Sequence, residues 1–211
     1  GFTKLYLYRD LLIPEQETQF AAVTFLLDDG SAFLAFRGTD YALVGWKEDF
    51  NMSFQKSVPA QRLAQEYTQR FAAFNPRPIR LSGHSKGGNL AVYAAAFCGK
   101  RLQKRIGTVY SHDGPGFLPE VLESDGFSGI VDRIQKTLPQ SSVVGMLLEH
   151  QERYKIIKSN SYNTEQCTDS KRKNQALAVN LTDIIIFFCS KILRRKRHCC
   201  LGNGIGAGIN I

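Results

Sequence analysis

The stretch Pro78–Leu90, "PIRLSGHSKGGNL", places Ser85 with Gly83 and Gly87 two residues to either side, and this constrains the fold more than any other feature of the chain. The run "PIRLSG" reads as a short strand, and "KGGNLAVYAAAFCG" reads as a helix of small and apolar residues closed by Gly99. A strand, a sharp turn and a helix around Gly-x-Ser-x-Gly hold the serine side chain clear at the carboxyl edge of a sheet. Gly83 and Gly87 then lack side chains where strand and helix approach closely. The amides that open the helix favour negative charge beside the serine. The blander alternative is a glycine-rich turn whose serine caps the helix. A nucleotide-phosphate loop does not fit, since neither GxxxxGKS/T nor GxGxxG is present.

The segments around this elbow predict the rest of the architecture. "AAVTFLLDDGSAFLAFRGT" reads as a hairpin, with apolar runs Ala21–Leu27 and Ala32–Phe36 joined by the turn residues 28–31. From Pro59, Leu63, Tyr67, Phe71 and Phe74 recur at three- and four-residue intervals, the spacing of an amphipathic helix. "IGTVYSHDG" reads as a strand ending in a turn, "PEVLESDGF" and "GIVDRIQK" as helical, "SSVVGMLLEH" and "RYKIIKS" as extended. Strands alternating with helices predict a three-layer α/β sandwich whose sheet is mostly parallel beyond the initial antiparallel hairpin. The right-handed crossover rule leads us to expect helices on both faces.

Charge divides the chain in two. The net charge is +8 over 211 residues; residues 1–158 carry 19 Lys/Arg against 16 Asp/Glu, and residues 159–211 carry 8 against 3. The expected organisation is therefore a core over 1–158 and a basic C-terminal tail over 159–211. Four of the five cysteines, Cys167, Cys189, Cys199 and Cys200, lie in that tail and only Cys98 in the core. The odd count without CxxC spacing indicates neither a disulfide framework nor a metal site, which makes a reducing, cytoplasmic setting the expectation. The chain opens on "GFTKLYLYRD", without Met or an apolar signal region, so an upstream portion is expected. In the tail, Ile184–Cys189 is too short to span a bilayer, and "RRKRHCC" follows it. Segment 176–200 is a candidate for peripheral membrane contact. Clustered Lys/Arg without interleaved aromatics argues against nucleic acid.

Two further motifs carry a family resemblance. "AFRGTDYALVGWKEDF", followed some forty residues later by "GHSKGGNLAVYAAAF", resembles the lipase class 3 group of α/β-hydrolases, and most of all a bacterial branch of unassigned function. The similarity covers roughly residues 20–158, through "VYSHDGPGF" and "PQSSVVGMLLEH". The resemblance implies a serine esterase or lipase acting on small-molecule or lipid esters without a cofactor, with Ser85 as nucleophile. It implies one oxyanion donor at Thr39, through its amide and its hydroxyl, and the other at the Lys86 amide. Such donors are worth about 3 kcal/mol of barrier each. Trp46 and Asp49 would pack and pin the loop beneath the site.

The base and the acid are less plainly written. Asp113 stands at the carboxyl end of the strand after the nucleophile strand, where ligand-facing residues of an open α/β sheet gather, but "HDGP" also suits a turn-forming Asp. Class 3 lipases usually carry the acid in an Asp-x-Val-Pro stretch, where this chain has Ser141-Ser142. Of four histidines, His84 sits beside the nucleophile and is expected to pack. His112 ends a strand, and His198 belongs to the basic cluster. His150 follows the serine in the order the fold uses and is the candidate base. Relatives would continue past "YKIIKS" into a His-Asp-Pro-like segment with the catalytic histidine. This chain continues with "NSYNTEQCTDSKRKNQ", which points to a replaced C-terminus and an impaired hydrolase as the alternative reading.

Overall fold

The computed structural model describes residues 2–39, 48–140 and 142–157. Seven strands form one sheet in sequence order. β1 (Phe2–Ile13), β2 (Thr18–Leu27) and β3 (Ala32–Phe36) run antiparallel to one another. From β3 onward the pairing is parallel, through β4 (Ile79–His84), β5 (Ile106–His112), β6 (Ile134–Pro139) and β7 (Tyr154–Ile157). A short helix, α1, is described over 48–51; α2 (Pro59–Phe74) joins β3 to β4, and α3 (Lys86–Phe97) followed by α4 (Lys100–Gln103) joins β4 to β5. Two single-turn helices, α5 (Pro119–Leu122) and α6 (Asp125–Ser128), precede β6.

The predicted hairpin is present, with Ala22 opposite Phe36 and Leu26 opposite Ala32. The predicted helix at Pro59 is present too. Pro59 opens it, and the Gln61 side chain accepts the Val58 amide at 3.0 Å, so a glutamine closes an end that lacks a polar N-cap. Tyr67 and Phe71 of the periodic series are buried, whereas Phe74 is 84% exposed at the helix end. α3 is buried on all sides, which its alanines permit by letting it pack closely against α2, α6 and the sheet at once. Cys98 and then Gly99, at φ 98°, turn the chain out of it.

Each parallel strand is added on the same side of the one before it. Right-handed crossovers therefore carry α2 and α3 to the same face, where they pack against each other over Phe36, Leu81 and Val109. The opposite face carries a separate apolar cluster built on Val23, Phe25 and Phe33. Within the described residues the long helices thus share one face.

Two local expectations fail, and one strand went unread. "GIVDRIQK" is not a helix: after a 3-10 turn at Val131–Arg133 it becomes β6, with Ile134, Lys136 and Leu138 turned inward. Its isoleucines have helical spacing, but two-residue alternation starting at Ile134 wins once β5 is there to pair with. "SSVVGMLLEH" contains a 3-10 turn at Val144–Met146 and a left-handed residue, Leu148 at φ 64°, so it is not simply extended. The 12-residue β1 was not legible at all, because register irregularities break its alternation and it lies at the sheet edge, exposing Leu5, Tyr6, Leu7 and Leu12.

Candidate functional site: a serine elbow at the sheet edge

Ser85 is the single residue between β4 and α3, at φ 55° and ψ −131°. A side chain with positive φ costs about 1–3 kcal/mol, so the surroundings must enforce the conformation. Both backbone groups of Ser85 are held: its amide donates to the His112 carbonyl at 2.9 Å, and its carbonyl accepts the Gly88 amide at 2.8 Å. A side chain on Gly83 would overlap the Gly87 carbonyl, and one on Gly87 would overlap the Phe36 carbonyl on β3. The strand, turn and helix therefore come together in the arrangement the motif requires, with Ser85 half-buried at the carboxyl edge. Lys86 and Gly87 open α3, so their amides have no intrahelical acceptor. The neighbouring His84 is exposed rather than packed, because side chains alternate along a strand and its side of the sheet edge is open here.

The segment Arg37–Thr39 lies against this elbow. A Cβ on Gly38 would stand 2.5 Å from the His84 carbonyl oxygen and 3.3 Å from the Ser85 Cβ, so only a glycine lets the two loops approach this closely. Arg37 is anchored to Asp10 on β1 at 3.1 Å. The Thr39 hydroxyl donates to Asp49 Oδ2 at 2.5 Å. That bond engages the Thr39 hydroxyl proton with the Asp49 carboxylate. Burial pushes the Asp49 carboxyl above its usual value, against the pull of the Lys86 charge and the Thr39 hydrogen bond. Asp49 thus pins the loop, as the motif implied; Trp46 lies outside the described residues.

Sequence reasoning missed a buried group directly beneath. Glu48 is 0% exposed, and its carboxylate accepts the Gln19 amide at 3.0 Å, the Ala60 amide at 2.8 Å and the Lys86 ammonium at 2.9 Å. Lys86, singled out only for its amide, is 1% exposed and also donates to the Gln19 carbonyl at 3.0 Å. A lysine in a glycine-rich turn and a glutamate within Lys47-Glu48-Asp49 both read as surface, and no sequence signal pairs them. Asn89, one turn into α3, accepts from Gln61 at 2.8 Å and donates to the Gly116 carbonyl at 2.8 Å, which ties the loop after β5 to the helix bearing the elbow.

Asp113 lies beside the elbow, immediately after His112, whose carbonyl holds the Ser85 amide. It has φ 53° and its carboxylate accepts from the Ser142 hydroxyl and from the Gly145 amide at 3.2 Å. Asp113 thus forms a tight turn at the strand ends, with its carboxylate bonded to the loop after β6. Ser142, in the stretch where class 3 lipases carry the acid, orients Asp113. His112 Nδ1 meets the Thr137 hydroxyl at 2.6 Å.

His150 lies in a buried cluster with Lys136 and Glu152. Its Nδ1 lies 2.8 Å from Lys136 Nζ and 3.4 Å from the Glu152 carboxylate, its Nε2 is buried without a hydrogen-bond partner, and none of its described bonds reaches Ser85 or Asp113. Lys136 and Glu152, 1% and 2% exposed, pair at 3.0 Å. Burial pulls the Lys136 ammonium below its usual value. Burial also acts to raise Glu152, but hydrogen bonds from His150 and Lys136 and the Lys136 charge outweigh it and hold the carboxyl at about 2. A depressed folded-state value stabilises the fold above the ordinary 4.5, and that contribution is lost as pH falls through about 2. The destabilisation caused by Glu152→Gln, measured by urea unfolding, is therefore expected to shrink steadily from pH 5 to pH 2; a pH-independent penalty contradicts this assignment.

A seven-stranded, mostly parallel sheet with a serine elbow between strand and helix has the architecture of the lipase-like α/β-hydrolase fold. A Rhizomucor miehei lipase propeptide complex carrying a two-residue deletion superposes with a TM-score of 0.52 at 17% identity, over 74% of this chain and 56% of that one. A fungal lipase–inhibitor complex superposes with a TM-score of 0.48 at 16% identity, over 67% and 59%. An esterase from Pyrobaculum calidifontis superposes with a TM-score of 0.37 at 12% identity, over 74% and 76%. The chain thus spans little more than half the length of the two fungal lipase structures. It belongs to the Mbeg1-like family, whose family model matches residues 3–179. No curated protein matched.

Proposed function

We propose that this chain is a serine hydrolase of carboxylic esters, with Ser85 as the nucleophile. The observation that carries the reading is the enforced positive φ of Ser85 at the start of α3, with Gly38 of the facing loop packed against its Cβ. Ser85 Oγ attacks the acyl carbonyl, its proton passes to a histidine, and the amides of Thr39 and Lys86 hold the oxyanion, with Asp113 as the acid. The similarity of fold to named lipases favours lipid or other small-molecule esters as substrates. Placement in a bacterial branch of the lipase-like proteins belongs to the same reading.

A second reading is favoured by the bonds of His150 to Lys136 and Glu152: a hydrolase-fold protein whose elbow is intact but whose base is missing. Loss of the base lowers turnover by about 10⁴–10⁶-fold. A fluorophosphonate probe separates these readings. The first expects rapid labelling of Ser85, lost in Ser85→Ala, with measurable ester turnover that His150→Ala abolishes. The second expects slow labelling and no turnover until a histidine-bearing segment is grafted after Ser159. A folded wild-type chain that never labels at Ser85 removes both.

A further inference from the structure

Two consecutive carboxylates lie beneath the elbow, and each holds one half of the proposed oxyanion site. Asp49 accepts the Thr39 hydroxyl at 2.5 Å. Glu48 binds the ammonium of Lys86, the residue whose amide follows the nucleophile, at 2.9 Å. Every oxygen of Glu48 is occupied: Oε1 by the first turn of α2 through the Ala60 amide, Oε2 by β2 through the Gln19 amide and by Lys86. The carboxylate therefore cannot shift without breaking bonds to two other elements. Lys86 Nζ is fixed in turn by the Gln19 carbonyl at 3.0 Å and stands 4.0 Å from Asp49 Oδ1.

A buried ion pair of this kind does not as a rule stabilise a fold more than apolar side chains of similar volume. An apolar pair of similar volume at positions 48 and 86 could hold the fold as well, so stability alone does not account for the ion pair. What it supplies is direction. An apolar side chain is held only by packing, whereas Lys86 is tied at its far end to two fixed acceptors.

We infer that Glu48 is a positioning residue of the proposed hydrolase: by clamping the Lys86 side chain it keeps the Lys86 N–H aimed at the acyl oxygen. Asp49 does the same for Thr39, so the short α1 couples the two donors. This rests on Ser85 acting as the nucleophile. Donors must be aimed before the reaction to lower its barrier, and loss of that aim leaves substrate binding unchanged.

The test compares the wild-type chain with Glu48→Gln/Lys86→Met, which removes both charges together, and with Glu48→Asp, which keeps the charge and shortens the clamp by one methylene. The readouts are thermal midpoint and fluorophosphonate labelling, resolved into a maximal rate (kinact) and a half-saturating concentration. The expected result is that each folded variant loses about 10–100-fold in kinact, with the half-saturating concentration unchanged. Two results overturn the inference while leaving Ser85 in place: wild-type kinact in a folded variant, or a loss confined to the half-saturating concentration. A wild-type chain that does not label at all overturns the nucleophile assignment, and this inference with it.

Discussion

Gly83→Ala is expected to yield no correctly folded protein. The new methyl group would occupy the space of the Gly87 carbonyl carbon and oxygen and press on the Gly88 amide, all of them backbone atoms of the adjoining helix. Backbone cannot rotate aside as a flexible side chain does, so β4 and α3 would have to separate at the elbow. Substitutions that break a close approach in the core lie in the range of about 4 kcal/mol or more, a large part of the stability of a domain this size. Gly87→Ala should behave alike, since its methyl group meets the Phe36 carbonyl on β3. Gly107→Ala is the control: a Cβ there meets nothing nearer than the Ile79 carbonyl at 4.0 Å, and the change should move stability by less than about 1 kcal/mol. Soluble yield, near-ultraviolet circular dichroism and urea unfolding of the three variants decide the matter. Cooperative unfolding of the Gly83 variant at the wild-type midpoint would refute the packing described for the elbow.

Lys86→Met alone should lower stability by about 3–5 kcal/mol, because it strands a fully buried carboxylate. For a chain of this length that corresponds to a fall of roughly 6–20 °C in Tm. Adding Glu48→Gln in the same chain should recover only part of the loss: the stranded charge is gone, but the new amide nitrogen faces one of the two backbone N–H groups, of Gln19 or Ala60, that the carboxylate accepted. The measurement is the double-mutant cycle in urea, and the decisive quantity is the coupling between the two positions. If Lys86→Met melts within about 2 °C of wild type, the ammonium is not the partner that Glu48 depends on. The cycle concerns the fold only and stands whether or not Ser85 reacts.

The elbow was legible because every part of it lies within a few residues. Gly83, Ser85 and Gly87 with an apolar run on either side predict strand, turn and helix, and the fold has all three. The hairpin at Asp28-Asp29-Gly30-Ser31 and the start of α2 at Pro59 were legible for the same reason. β6 was misread because isoleucines at helical spacing also fit a two-residue alternation over a shorter run, and only β5 and β7 on either side choose between them. Asp113 was placed correctly at a strand end, but its partners Ser142 and Gly145 come from about thirty residues away and gave no signal.

By itself, then, the sequence determined the α/β class, the glycine-framed serine and the order of the elements around it. These follow from backbone freedom and side-chain periodicity, properties of a short stretch of chain. The tertiary structure alone decided that α2 and α3 share a face, that Lys86 turns inward, and that Glu48 collects a strand, a helix and the elbow on one carboxylate. It alone placed the His150 ring against Lys136 and Glu152. The physical reason is distance along the chain: the bonds that fix Lys86 span 38 and 67 residues, and which charges are taken out of water together is settled only when the sheet has closed around them.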